Sequence, residues 1–251
     1  MKTALITGAT SGIGKATAEL FAKQGIQLVL CGRRAGRLTT LQSTLGQQVP
    51  VHCLTFDVRD RTATLQAIAS IPETFQSIDI LINNAGNAHG LDPIQRGSFD
   101  DWDAMLDINV KGLLYVSQPI IQRMIEKGSG HIVNIGSIAG KEAYPNGNVY
   151  CASKHAVDAL SQAMRIDLNG TGVKVSQVCP GMVETEFSEV RFKGDTQRAD
   201  SVYKGYDPLT AEDIADLIYF MVSRPKHVNI ADVLILPEAQ ANATTLSKTT
   251  P

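Results

Sequence analysis

Short apolar runs alternate along this chain with longer stretches in which apolar positions recur every three or four residues. The runs Thr3–Thr7, Gln27–Cys31, Val51–Phe56, Ile80–Asn83, His131–Gly136, Lys174–Cys179 and Val233–Leu236 predict seven strands. They are continuously apolar rather than alternating, as expected when helices cover both faces of a parallel sheet. The stretches Gly12–Gln24, Gly36–Leu45, Arg61–Ile71, Phe99–Lys127, Val149–Leu168 and Ala211–Ser223 predict the intervening helices. Right-handed βαβ crossovers repeated this often give a doubly wound α/β sheet. No linker, charge block or internal repeat divides the chain, so a single domain over 1–251 is expected.

Two stretches break the rhythm. Ala85–Ser98 and Pro180–Pro208 both follow carboxyl ends of strands, where open α/β sheets bind ligands. The second is long enough to suggest a substrate lid over 181–207. From Pro237 the chain turns polar, and 237–251 reads either as a loose tail or as an intersubunit arm.

Composition narrows the function classes. A hydrophobic fraction of 43% supplies a sizeable core. The net charge of −2 gives no general attraction to nucleic acid or to an anionic membrane. No apolar run approaches the roughly 18 residues of a membrane span. The strand pattern begins at Thr3 and leaves no room for a signal peptide, so a cytoplasmic protein is expected. The 4 cysteines and 5 histidines are scattered without ligand spacing; buried, reduced thiols and no metal site are expected.

The first strand runs into Thr7-Gly8-Ala9-Thr10-Ser11-Gly12-Ile13-Gly14, which opens a helix. Glycines there permit positive φ and let backbone N–H groups approach a pyrophosphate at the positive end of the helix dipole. At the end of the second strand a site for NAD commonly carries a carboxylate for the ribose hydroxyls. Here stands Cys31-Gly32-Arg33-Arg34. Two cations near a helix N-terminus oppose its dipole, and a 2′-phosphate would turn that misfit into charge-assisted contacts. Arg33 and Arg34 therefore point to NADP. The strongest chemical signal is Tyr150-x-x-x-Lys154, with Ser137 thirteen residues upstream at a strand end. Positions i and i+4 share a helix face, and a nearby ammonium lowers the pKa of a phenol that otherwise titrates near ~10.

With these motifs in their order the chain resembles the short-chain dehydrogenase/reductase family over nearly its whole length. The matching segments are TGATSGIG, Asp57-Val58, NNAG at Asn83–Gly86, Asn109, Ser137, YCASK at Tyr150–Lys154 and Pro180-Gly181. The resemblance implies a seven-stranded, Rossmann-like sheet. It implies Tyr150 as general acid/base, Ser137 holding the reacting oxygen and Lys154 holding the nicotinamide ribose while tuning Tyr150. Asn109 would hold a water in the proton path. Gly8, Ser11, Gly12, Ile13 and Gly14 would cradle the phosphates, and Asp57 and Val58 would contact adenine. Asn84, Ala85 and Gly86 would border the adenine ribose and the nicotinamide side, with Pro180, Gly181, Val183 and Thr185 along the nicotinamide. Asn83 is expected to serve the sheet instead.

The stretches TEFSEVRFKGD, GNVYCASK and HVNI are similar to a branch of NADP-dependent 3-hydroxy acid dehydrogenases, typically tetramers. That branch implies a small carboxylic acid substrate such as serine, allo-threonine or 3-hydroxypropionate. Arg191 is the expected carboxylate ligand, its planar fork suiting that group better than the point charge of Lys193. The apolar helices at Trp102–Met124 and Val149–Leu168 offer a subunit interface. A 3-oxoacyl-thioester or general carbonyl reductase and a non-catalytic NADPH-binding regulator remain alternatives. The second has no use for an intact Ser137, Tyr150 and Lys154.

Overall fold

Strand residues point alternately to the two faces of a sheet, and in this chain both faces are apolar. In β1 (Thr3–Thr7), Ala4 and Ile6 enter one core cluster and Leu5 the other. In β2 (Gln27–Gly32) Leu28 and Leu30 oppose Val29 and Cys31, and in β4 (Ile80–Asn83) Ile80 and Ile82 oppose Leu81. That arrangement demands helices on both sides. The first cluster is closed by α1 (Gly12–Lys23), α2 (Ala35–Leu45) and α9 (Ala211–Val222). The second is closed by α3 (Arg61–Ala69), α5 (Leu113–Lys127) and α6 (Asn148–Asp167).

The computed structural model describes residues 1–248. Its sheet has seven strands in the order β3-β2-β1-β4-β5-β6-β7, every pairing parallel, with β3 (Val51–Thr55), β5 (Gly130–Ile135), β6 (Val173–Pro180) and β7 (Asp232–Ile235). The chain winds outward from β1 to β3, then crosses back to β4 on the other side of β1. A crevice opens between β1 and β4 where the winding reverses. The single Rossmann-like domain expected from the sequence is thus present, with no strand bound shifted by more than one residue.

Three expectations about elements need correction. The stretch Phe99–Lys127 is not one α-helix: α4 (Phe99–Leu106) passes through a π-helical turn, Asp107–Gly112, before α5 begins. Close packing accompanies the distortion, since a Cβ on Gly112 would lie 2.7 Å from Val58 Cγ2. The stretch Pro180–Pro208 is not an irregular loop. It holds α7 (Phe187–Arg191) and α8 (Thr196–Val202), the latter capped by Asp195, whose side chain accepts from the Arg198 N–H. Finally, the polar stretch after Pro237 is not loose within the described residues. Ala241 N and Ser247 N donate to Thr245 O and Ala239 O, and Gln240 is buried. Residues 249–251 of the expected tail lie outside the described residues.

Buried amides tie core elements to one another. Asn83 Nδ2 donates to Ser117 Oγ and Asn134 Oδ1, both at 2.8 Å, and Asn134 Nδ2 donates to Ser161 Oγ at 2.9 Å. Asn83 therefore ties β4 to α5 and β5, as expected. The four cysteines are free thiols, and no cluster of metal-ligating side chains occurs among the described residues. No described helix is long and apolar enough to cross a membrane.

Candidate active site

The crevice is a cleft of about 520 Å³ running along the carboxyl ends of the strands. At one end lies the turn between β1 and α1. Gly8 and Gly12 adopt φ of +64° and +49°, which side chains with a Cβ rarely adopt. A Cβ on Gly14 would lie 2.5 Å from Gly8 O, so only glycine lets the helix close on the turn. No side chain caps the first N–H groups of α1, which leaves donors at the positive end of its dipole. Asn84 Nδ2 donates to Thr7 O (2.9 Å) and Gly8 O (3.2 Å), holding the turn from behind.

Gly8, Ser11, Gly12, Ile13, Arg33, Arg34, Asp57, Val58, Asn84, Ala85 and Gly86 all line the cleft, as do Pro180, Gly181, Val183 and Thr185. Gly14 does not; it packs behind the turn. Arg34 donates to Thr10 Oγ1, Ser11 Oγ and Glu186 Oε2 at 3.0, 2.6 and 2.7 Å. Arg33 approaches Asp57 at 3.6 Å. Asp57 also accepts from the Arg59 backbone and guanidinium; burial works against its charge, but the arginines hold its carboxyl below the ordinary range. At Gly32, where an NAD site would carry its carboxylate, a Cβ would come 2.8 Å from Thr10 Cγ2. The dimensions, the uncapped helix and the cationic end fit a phosphorylated dinucleotide.

At the other end β5 delivers Ser137, and α6 delivers Tyr150 and Lys154, all three buried. Ser137 Oγ accepts from Ala139 N at 3.0 Å and starts a short 3₁₀ turn. Burial pushes the Tyr150 phenol well above its ordinary pKa and Tyr144 adds to the shift, while Ser137 and Arg191 pull it back. Burial draws Lys154 down to about 8. The sequence points to Lys154 as the cation lowering Tyr150. Instead Lys154 Nζ donates to Ile135 O at 2.9 Å, and the cation facing the phenol ring is Arg191, 5.6 Å from its centroid.

Arg191 is held in place by Gly90 O (3.2 Å from Nε) and Tyr144 Oη (3.1 Å from Nη2), and its own carbonyl accepts from Gly90 N. Phe187 packs on Tyr150 with centroids 5.7 Å apart. Lys193 turns away to Asp101 at 3.0 Å. Asn109 does not face the cleft. Its Oδ1 accepts from Asn87 N (2.9 Å), and its Nδ2 donates to Asn87 O (2.8 Å) and Ser153 Oγ (3.0 Å). The side chain thus holds the strand-end loop to α6.

Several residues of the site escaped the sequence reading. Tyr144 and Phe187 carried no spacing signal. Arg37, three positions after Arg34 and so on the same helix face, was legible in principle; it donates to Glu186 Oε1 at 2.6 Å. Gln240 lines the cleft from the far end of the chain, its Oε1 accepting from Met182 N at 2.9 Å.

Comparison with known proteins agrees with this geometry. Residues 2–196 match the family model described as short chain dehydrogenase. The chain is 46% identical to sulfoacetaldehyde reductase 2 of Chromohalobacter salexigens, covering 94% of each protein. It is 44% identical to the NADP-dependent 3-hydroxy acid dehydrogenase YdfG of Salmonella typhimurium, covering 95% of this chain and 96% of that protein. Its fold superposes on the closed form of serine dehydrogenase complexed with NADP+ with a TM-score of 0.93, at 41% identity over 99% of this chain and 100% of that one.

Proposed function

The chain belongs to the short chain dehydrogenase family, and from that premise we propose the following reading of its cleft. The protein is an NADP-dependent oxidoreductase acting between the 3-hydroxy and 3-oxo forms of a small acid, the activity named for its 3-hydroxy acid and serine dehydrogenase relatives. When bound, the nicotinamide supplies or accepts the hydride. The residues do the rest. Tyr150 Oη exchanges the proton with the reacting oxygen, and Ser137 Oγ holds that oxygen in place. Lys154 Nζ, already directed into the cleft wall, holds the nicotinamide ribose. The turn Gly8–Gly14 and the α1 N-terminus take the pyrophosphate, and Arg33 and Arg34 take the 2′-phosphate.

The observation that carries the substrate reading is Arg191. Its guanidinium stands beside the Tyr150 ring, fixed by Tyr144 and Gly90, where it can pair with an acid group of a substrate whose reacting carbon faces Tyr150. The sulfoacetaldehyde reductase relative favours a second reading, in which that acid group is a sulfonate. The segment 181–207 acts as the lid, bringing Arg191 and Phe187 over the substrate and excluding water. Exposed Leu114 and Ile125 on α5 and Ile166 on α6 support contact between copies of the chain, in this reading within a homotetramer.

The test is NADPH oxidation with matched short 3-oxo carboxylates, sulfoacetaldehyde and an uncharged ketone. A preference for an anionic substrate supports the reading, and equal efficiency with the ketone would sink it. In the same assay Tyr150→Phe should lose about 10²–10⁴ in turnover while still binding NADPH. A folded Tyr150→Phe variant with near-normal turnover would remove Tyr150 from the mechanism.

A further inference from the structure

Both oxygens of the Glu186 carboxylate are taken by arginines, Arg34 at the N-cap of α2 and Arg37 within the helix. Arg34 Nη1 reaches Oε2 at 2.7 Å and Arg37 Nη1 reaches Oε1 at 2.6 Å. Glu186 arrives from the segment after β6, on the opposite side of the crevice from α2. The other donors of Arg34 go to Ser11 Oγ and Thr10 Oγ1 of the glycine-rich turn. A protein carboxylate therefore occupies a two-arginine anion site beside the end of β2, where the ribose of the cofactor is read. Partial burial works against the Glu186 charge, but Arg34 and Arg37 hold its carboxyl below the ordinary value, so it stays ionised at neutral pH. Arg33, 56% exposed, approaches Asp57 at 3.6 Å.

We propose that Glu186 is an internal competitor for the 2′-phosphate of the cofactor and sets how strongly the protein discriminates NADP from NAD. The inference rests on the NADP reading of Arg33 and Arg34. A phosphate arriving at Arg34 either displaces the Glu186 carboxylate or lies beside it; either way it meets arginines whose charge is already answered. The ribose hydroxyl of NAD carries no charge and meets no such opposition. The carboxylate thus lowers affinity for the phosphorylated cofactor selectively, which favours its exchange after each turnover.

The experiment is calorimetric titration of 2′,5′-ADP and 5′-ADP into the wild-type protein and Glu186→Gln at fixed ionic strength, a measurement that needs no turnover. Exposed ion pairs are individually weak, so the expected effect is modest: Glu186→Gln binds 2′,5′-ADP about three- to tenfold tighter. Affinity for 5′-ADP should stay within about twofold of wild type. Equal tightening of both ligands would overturn the proposal, because the carboxylate would then act on the pyrophosphate end or on the whole cleft. Weakening of both would overturn it in favour of a brace across the cleft mouth, and no change in either would overturn it outright. Equal binding of the two ligands by the wild-type protein would instead sink the NADP reading on which the proposal stands.

Discussion

At the scale of single residues, side-chain surroundings decide what a motif can do. Tyr and Lys four apart is by itself a commonplace helix pair, and what marks Tyr150, Lys154 and Ser137 as candidates is their occurrence with the glycine-rich turn and the other motifs in one order. Arg191 was legible as chemistry but not as geometry, since nothing in its neighbours in sequence announces Gly90 or Tyr144. Replacing Arg191 by Met should raise KM for an anionic substrate by about tenfold or more and KM for an uncharged ketone far less, the size expected for one charge-assisted pair. Equal losses would show that Arg191 shapes the lid only. A second expectation concerns His131, buried in β5 with Nε2 on Ser176 Oγ at 2.8 Å. Burial, aided by Lys174 and Lys2, draws its pKa down to about 3. Between that value and the unperturbed 6.5 the unfolded chain binds a proton that the folded one does not. Stability therefore falls as pH drops below about 6.5, by up to about 1.4 kcal/mol per pH unit. Urea unfolding at pH 7 and pH 4.5 checks this: His131→Asn should lose less stability across that interval than wild type. Identical losses would place the acid sensitivity elsewhere.

At the scale of elements, hydrophobic pattern located every strand, because apolar runs flanked by turns leave few other interpretations. It failed where the backbone departs from the common repeat. Apolar periodicity continues through Phe99–Lys127, yet Asp107–Gly112 is π-helical, and π-turns recur at functional sites. The widened turn presents the Asn109 amide to both backbone groups of Asn87, a long-range demand that periodicity does not encode. Similarly α7 and α8 are five and seven residues long, too short to print a period on the sequence. Asn109→Ala removes three hydrogen bonds and leaves Asn87 N and O without their partner. It should cost about 2–4 kcal/mol in unfolding free energy and weaken NADPH binding, since the loop it holds borders the cleft. Wild-type stability in that variant would show that the π-turn holds its shape without the amide.

At the scale of the whole molecule, the sheet order explains why the cleft lies between β1 and β4, and the seven strands with two apolar faces made that order readable once the family resemblance was seen. The far end of the chain was not readable in this way. A polar stretch carries no core signal, and only tertiary contact reveals that Gln240 braces Met182 and that Ala243 N donates to Glu142 Oε2. Those contacts have a consequence in time. Every strand pairing here is parallel and requires a crossover, so the sheet closes through contacts distant in sequence, which form slowly. The walls of the cleft come from Gly8 at one extreme and Gln240 and Ala243 at the other. Refolding from urea should therefore recover far-ultraviolet circular dichroism in an earlier phase than the fluorescence enhancement of bound NADPH. Recovery of both in one phase would mean that the last segment docks along with the sheet. If the phases separate, a newly made chain passes through an interval in which its helices and strands exist but it cannot yet be rescued by its cofactor.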